Sequence, residues 1–414
     1  MNAIWRNGLD STLGKIVARP GVRRAFSCGK NMSYISRGAY GNMDTEIKLP
    51  LRDYYELQNF DSLTNNNNNF FTKKYGNSNY RHWENLKAYN PILINSIARW
   101  IMVDYKLNFY PYYDLNIVTV YTDLNRSIGL IKHLMGYYRE VLSDEMFEKI
   151  NVYLLPLYHG NNPTKHSNSI MKDTPAYITV LDCLSVFSRT GQKYGIDTFQ
   201  LNPTLGNLRI GNDPIYLLLL NDIIKYLSHD LVKFSNVNSN WQQCFVNIPS
   251  DGKEPTQYFS EDLDFECEDS IYSYFKDVNF QKEELYYIPT RLMQLFHYLK
   301  HNTPEHKLFA IDKPQICNSN LVSIFKSLCN IDNKGIGSKM MINNDRTITY
   351  TNEFSRLQNV YNNINDSLRL CKTEELHEFV DQWSNIEEDG QNLTNIEIQL
   401  KLIRHSSLAS LHSC

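Results

Sequence analysis

At 414 residues and 42% hydrophobic, the chain is long enough for two ordinary domains, or for one large domain with a smaller companion. Its 42 basic and 45 acidic side chains nearly cancel, so nothing in the balance points to a nucleic-acid or membrane surface, and no window approaches ~18 consecutive apolar residues, which argues against a transmembrane helix. Its eight cysteines form no Cys-x-x-Cys pair and sit beside no histidines at zinc-ligand spacing, the scatter of idle thiols in a reducing compartment, and no metal site is expected.

The first thirty residues carry Arg6, Lys15, Arg19, Arg23, Arg24 and Lys30 against the single acid Asp10. Ile4, Leu9, Leu13, Ile16 and Val17 recur at helical spacing, which gathers them on one face. A cationic amphipathic helix poor in acids suits a mitochondrial presequence, and Arg24-Ala25-Phe26-Ser27 resembles a matrix-protease cleavage site. Residues 1–26 are therefore expected to be a targeting segment for the mitochondrial matrix; the alternative is a basic tail without a role. Residues 27–109 follow as a connector and amino-terminal helical region, interrupted by five asparagines, Asn65 to Asn69, that read as a loop insertion. Behind Pro91, Ile92, Ile94, Ile97, Trp100, Ile101 and Tyr105 recur at helical spacing.

From residue 110 to 404 the pattern is that of an α/β domain. LNIVTVY (115–121) is apolar enough for a strand covered on both faces, and the helix after it buries Ile128, Ile131, Leu134, Met135 and Tyr138. VYLLPLY (152–158), YITVLDCL (177–184) and IYLLLL (215–220) are further strand candidates. IPTRLMQLFHYLK (288–300) reads as a helix with Pro289 in its first turn, followed by strands KLFAI (307–311) and RTITYT (346–351). Helical patterns then run from Thr373 to Trp383 and from Asn395 to Arg404, leaving residues 405–414 as a tail. Strands alternating with helices predict a mostly parallel sheet with helices on both faces.

In such sheets ligands bind beyond the carboxyl ends of the strands, which places candidate chemistry just after Tyr121, Leu157 and Leu220. Several segments here resemble a known family. They are YGNSNYRHWENLKAYNPILINSIARWI (75–101), YPYYDLNIV (110–118), NDIIKYLSHDLVKF (221–234), YIPTRLMQLFHYLKHNTPEHKLFAID (287–312) and FVDQWSNIEEDGQNLT (379–394). Together they resemble the mitochondrial S-adenosylmethionine-dependent protein arginine methyltransferases that act as complex I assembly factors, and their bacterial relatives. The resemblance implies a Rossmann-like methyltransferase fold, S-adenosylmethionine as cofactor, and a mitochondrial protein partner such as a respiratory-chain subunit.

The chain departs from that family at the positions that matter for the cofactor. The family's first strand ends in an acid followed by a Gly-x-Gly-x-Gly turn, because a Cβ would block close backbone approach to the cofactor. Here the stretch is TVYTDLNRSIGL, with Asp123, Asn125 and Gly129 as the candidate cofactor residues; Asp123 could equally cap the helix. The second strand of the family ends in a carboxylate for the cofactor ribose, and VYLLPLYHG offers Leu155, Pro156 and Leu157 instead. Asn221 and Asp222 match the family's Asn-Glu and are the candidate catalytic residues, with a helix cap as the alternative for Asp222. The second acid of that pattern falls on Lys225, which would repel a guanidinium.

Weaker signals read more simply as structure. KGIGSK (334–339) is more often a surface turn than a phosphate cradle, His301 and His306 lack a third ligand, His229 and Asp230 suit a structural pair, and the acidic run from Glu261 to Asp269 suits a solvated loop. Three functions remain. The chain is a methyltransferase-fold protein that has lost cofactor binding and works as a binding or assembly factor, an active protein arginine methyltransferase with a rearranged pocket, or an unrelated α/β enzyme. The first is preferred, because cofactor affinity comes from several convergent polar contacts and two sets are missing.

Overall fold

A computed structural model of the chain describes residues 47–65, 90–122, 124–157, 178–180, 214–220, 223–235, 240–249, 254–276, 285–303, 305–313, 338–342, 347–384, 393–404 and 408–414. The expected presequence, most of the asparagine run and the first four residues of KGIGSK lie outside them.

Strands β1 (Ile47–Pro50), β2 (Leu115–Tyr121), β3 (Ile150–Pro156), β4 (Ile178–Val180), β5 (Ile215–Leu219), β6 (Asp230–Ser235) and β7 (Asn240–Ile248) come first. They are followed by β8 (Thr256–Ser260), β9 (Leu285–Ile288), β10 (His306–Asp312), β11 (Lys339–Ile342), β12 (Ile348–Thr351), β13 (Cys371–Glu375) and β14 (Ala409–Ser413). The helices are α1 (Leu51–Asn65), α2 (Pro91–Asn108), α3 (Leu124–Val141), α4 (Asp144–Phe147) and α5 (Ile223–Tyr226), then α6 (Phe265–Tyr274), α7 (Thr290–Asn302), α8 (Phe354–Ile364), α9 (Leu376–Trp383) and α10 (Leu393–Arg404).

The main sheet runs β13-β14-β10-β5-β2-β3-β4, with β10, β5, β2, β3 and β4 mutually parallel and β14 antiparallel to both its neighbours. Its strands are apolar on both sides, so successive residues serve opposite cores. Along β2, Val118 and Val120 face one layer while Leu115, Ile117 and Tyr121 face the other; β5 divides in the same way into Leu217 and Leu219 against Tyr216 and Leu218. Helices α7 and α8 cover the first layer, and α2, α3 and α9 the second. Helix α2 starts where expected: Asn90 accepts the Leu93 amide at 3.1 Å, and Pro91 supplies helical φ at a position that needs no amide hydrogen.

A second sheet, β1-β7-β6-β9 with β8 on β7, is wholly antiparallel. In the chain it is inserted, apart from β1, between β5 and α7. Helix α7 ends just before β10 begins and so returns the chain to the amino edge of the parallel sheet. The second sheet therefore leaves and rejoins the chain at the carboxyl edge, the side where such sheets bind ligands, and caps it there, while α6 of the same stretch packs into the layer of α7 and α8. The hairpin β11–β12, inserted between β10 and α8, joins the same cap.

Three expectations change. Residues 405–414, set apart as a tail, contain β14, an interior strand paired on both edges. The helix expected from Thr373 starts only at Leu376, because Cys371–Glu375 pair with β14; Glu375 and Glu378 then form a reciprocal capping box. The acidic run from Glu261 to Asp269 is not a solvated loop along its length: Asp264 caps α6, and both Asp264 and Glu266 turn toward a buried arginine.

Candidate functional site

Strand order reverses at β2. The chain proceeds from β2 through β3 to β4 on one side and continues with β5 and β10 on the other, so the crevice at the carboxyl ends of β2 and β5 is the topological switch point. The segment from Tyr121 to Gly129 leads from this crevice. Helix α3 begins at Leu124, so only Thr122 and Asp123 separate strand from helix. Asp123 lies outside the described residues, Asn125 falls in the first turn of α3, and Gly129 lies inside its second turn. A glycine within the helix relieves no crowding at the strand–helix turn, which is where close backbone approach is required.

The neighbouring β3 ends level with β2: Tyr121 pairs with Pro156, and the Leu157 amide donates to the Tyr121 carbonyl at 2.8 Å. Leu155 and Leu157 are buried in the core layer under α7. No aspartate or glutamate occurs in the sequence between Glu148 and Asp173, so this strand end carries no carboxylate of its own.

At β5, Asn221 and Asp222 lie outside the described residues. The short helix α5 follows, with Ile223 and Ile224 buried and Lys225 half-buried, its ammonium 5.2 Å from the Tyr226 ring centre. Beyond it the chain enters a buried polar cluster. His229 donates from Nδ1 to the Leu227 carbonyl at 2.8 Å, and its Nε2 meets Ser338 Oγ at 3.0 Å and the Asn352 side chain at 2.9 Å. Its ring stacks on Tyr350 at 4.0 Å, and burial holds its pKa down at about 4, so it is neutral.

Asp230 accepts from Arg52 Nη1 at 2.6 Å, Thr290 Oγ1 at 2.7 Å and Gln243 Nε2 at 2.9 Å. Arg52 also reaches Asp264 at 2.8 Å and Glu266 at 2.7 Å; against burial, which alone would raise it, Arg52 holds the Asp264 carboxyl low. Arg291, at the start of α7, pairs with Asp53 and with Glu56 at 3.2 Å. His229 and Asp230 are thus structural, as expected. The arginines that organise the cluster, with Asp53 and Glu56, are absent from the sequence reading: the partners that Arg52 reaches on β6 and at α6 lie far along the chain, so no local pattern marks them.

Two features expected for a methyl donor with a ribose and an amino-acid tail are missing from the described part of this crevice. Such a donor needs bare backbone after β2, where Thr122 rather than glycine follows the strand, and a carboxylate after β3, where leucine and proline stand. Burying a ribose hydroxyl without its partner costs about 1–3 kcal/mol. One feature points the other way: the buried hydroxyl of Ser127, in the first turn of α3, has no hydrogen-bond partner among the described residues.

Residues 96–371 match the family described as "Putative S-adenosyl-L-methionine-dependent methyltransferase". The mitochondrial protein arginine methyltransferase NDUFAF7 homolog of Saccharomyces cerevisiae is 34% identical over 384 residues, covering 88% of this chain and 90% of the yeast protein. Two crystal structures from Burkholderia thailandensis share the fold. An uncharacterized protein and a member of the same superfamily bound to S-adenosyl-homocysteine each superpose with a TM-score of 0.52, at 10% identity, over 94% of this chain and 93% of theirs.

Proposed function

The chain belongs to this S-adenosyl-L-methionine-dependent methyltransferase family, and from that membership we propose that it is a variant that has given up ordinary use of the methyl donor and works as a binding or assembly factor for a protein partner in the mitochondrial matrix. The observation that carries the proposal is the end of β3, where buried Leu155 and Leu157 flank Pro156 beside Tyr121 and the strand offers no acid of its own for the ribose. Two unmatched hydroxyls weaken binding by roughly 2–6 kcal/mol, from tens- to tens-of-thousands-fold in affinity. The family resemblance supports a respiratory-chain subunit as the partner.

A second reading is an active protein arginine methyltransferase with a rearranged pocket, as the name of the yeast relative suggests. The partnerless Ser127 hydroxyl favours it, since a buried polar atom at a helix start invites a ligand. Titration calorimetry with S-adenosylmethionine and S-adenosylhomocysteine separates the two. The binding-factor reading expects no heat beyond dilution; saturable micromolar binding, with methyl transfer to an arginine peptide, decides for the enzyme. The matrix location is tested by deleting residues 1–26. The shortened protein should remain in the cytosol, and continued import would refute the presequence.

A further inference from the structure

The amino-terminal strap, β1 and α1, is fastened to the cap by charges of which Arg52, Asp53, Glu56, Asp230 and Arg291 are buried and Asp264 and Glu266 partly so. Strand β1 pairs with β7, from Ile47 opposite Ile248 to Pro50 opposite Phe245. Helix α1 then crosses the cap, placing Leu51, Tyr54 and Tyr55 in a small apolar cluster with Leu231, Val246, Ile348 and Tyr350. Beside that cluster, Arg52 enters the carboxylates of Asp230, Asp264 and Glu266, while Asp53 and Glu56 close on Arg291 of α7.

The charges in this interface do not balance. Five carboxylates, from Asp53, Glu56, Asp230, Asp264 and Glu266, share the two guanidinium groups of Arg52 and Arg291. Fully ionised, the cluster would hold three uncompensated negative charges where dielectric screening is weakest. Of the three carboxylates on Arg52, Asp230 is further satisfied by Gln243 and Thr290, and Asp264 by Gln243 and the α6 amide of Cys267. The pair on Arg291 is served less well: Gln294 takes the Nη1 of the same guanidinium at 2.8 Å, and Asp53 Oδ2 has no hydrogen-bond partner among the described residues.

We propose that the strap is a proton-linked clasp, closing over the cap with a proton held by its own Asp53–Glu56 pair and loosening when that proton is withdrawn. Burial, against the pull of Arg291, pushes Glu56 up to about 8, and burial raises Asp53 too. A released strap returns Glu56 to the ordinary carboxylate range near 4.3. The docked form therefore keeps a proton that the released form has lost. The contribution to docking is whole below the ordinary range, declines as pH rises above it, and is gone once pH has passed about 8.

The other titratable groups facing the strap stay out of this window. Cys244 of β7 and Tyr287 of β9 are raised to about 11 and about 12, and Tyr350 of β12 is raised well above its ordinary value, all by burial. His229, beside Asp230, is already neutral, and Asp264 of α6 is lowered. Arg52 and Arg291 remain charged throughout.

The test is hydrogen–deuterium exchange on the full chain from pH 6.5 to 9, corrected for intrinsic exchange rates. Amides of residues 51–59 should open about tenfold more per pH unit up to about pH 8 and level off above it, while those of β2 and β5 hold steady. Glu56→Gln, which mimics the protonated form, should leave the strap protected and flat across the range; Asp53→Asn should flatten it in part. Strap protection independent of pH in the parent protein would overturn the proposal, as would a Glu56→Gln protein that keeps the parent's dependence. The parent series decides even if a variant fails to fold.

Discussion

Arg52 Nη1 lies 2.6 Å from Asp230 Oδ2, with both side chains cut off from solvent and 178 residues apart in the chain. This contact ties a helix that precedes the parallel sheet to the first strand after the candidate site. Breaking a buried pair from one side leaves the other charge uncompensated, which typically costs about 3–5 kcal/mol. Arg52→Ala should lose stability on that scale in urea unfolding, and Arg52→Lys should recover only part, because an ammonium cannot reproduce the planar fork that serves Asp230, Asp264 and Glu266 together. A loss below about 1 kcal/mol for Arg52→Ala would show that the contact holds nothing.

Asn59 stitches the same strap to the hairpin. Its amide nitrogen donates to the Ile348 carbonyl at 2.8 Å and its oxygen accepts the Ile348 amide at 2.6 Å, the exchange that a paired strand residue would make. Removing the side chain leaves two backbone groups of Ile348 buried and unpaired. Asn59→Ala should cost roughly 2–6 kcal/mol, at about 1–3 kcal/mol for each orphaned group. Asn59→Asp should also be poorly tolerated, since an ionised carboxylate cannot donate to the carbonyl. Thermal unfolding of both variants checks this, and a near-parental midpoint for Asn59→Ala would refute it.

Two buried histidines predict an acid limb of stability. Burial holds His229 and His306 at about 4; His306 donates from Nδ1 to the Thr303 carbonyl at 2.7 Å and takes the Tyr361 hydroxyl on Nε2 at 2.7 Å. The folded state refuses a proton that the unfolded chain accepts near 6.5. Stability attributable to each is therefore whole above about pH 6.5 and falls as pH drops toward 4, by up to one proton's worth, about 1.4 kcal/mol per unit. His306→Gln should reduce the slope between pH 6 and 4.5 by close to one proton relative to the parent. An unchanged slope in urea titrations at several pH values would show that His306 takes up its proton in the folded state.

Legibility follows burial pattern. LNIVTVY and IYLLLL form strands buried along their whole length, and an unbroken apolar run has few other uses. The cap was harder to see because its strands, such as NWQQCFVNI and TQYFS, are half-exposed and mixed in polarity. Gln243 looks like a surface residue until its partners Asp230 and Asp264 are in place. At the site, the single glycine after β2 and the leucines and proline closing β3 are local features and so legible in the sequence. The Arg52 and Arg291 pairings were not, because each joins segments more than 170 residues apart.

The carboxyl terminus is the sharpest case. ASLHS reads as a polar tail, yet Ser410, His412 and Ser413 are buried, with His412 2.8 Å from Glu374 and Ser413 Oγ receiving the Leu308 amide at 2.8 Å. The strand joins β10 to β13, so its removal would unpair both ladders at once and bare Phe309 and Leu308 on the two faces of the sheet. Deleting residues 409–414 should give a protein that aggregates, or that keeps far-ultraviolet but loses near-ultraviolet circular dichroism. Leu411→Ala, a milder cut into the buried layer, should cost about 2–5 kcal/mol, depending on how far the cavity collapses. A truncated chain with native near-ultraviolet signal and an unshifted unfolding midpoint would mean that the sheet closes without its last strand, and the order β10-β14-β13 would have to be abandoned.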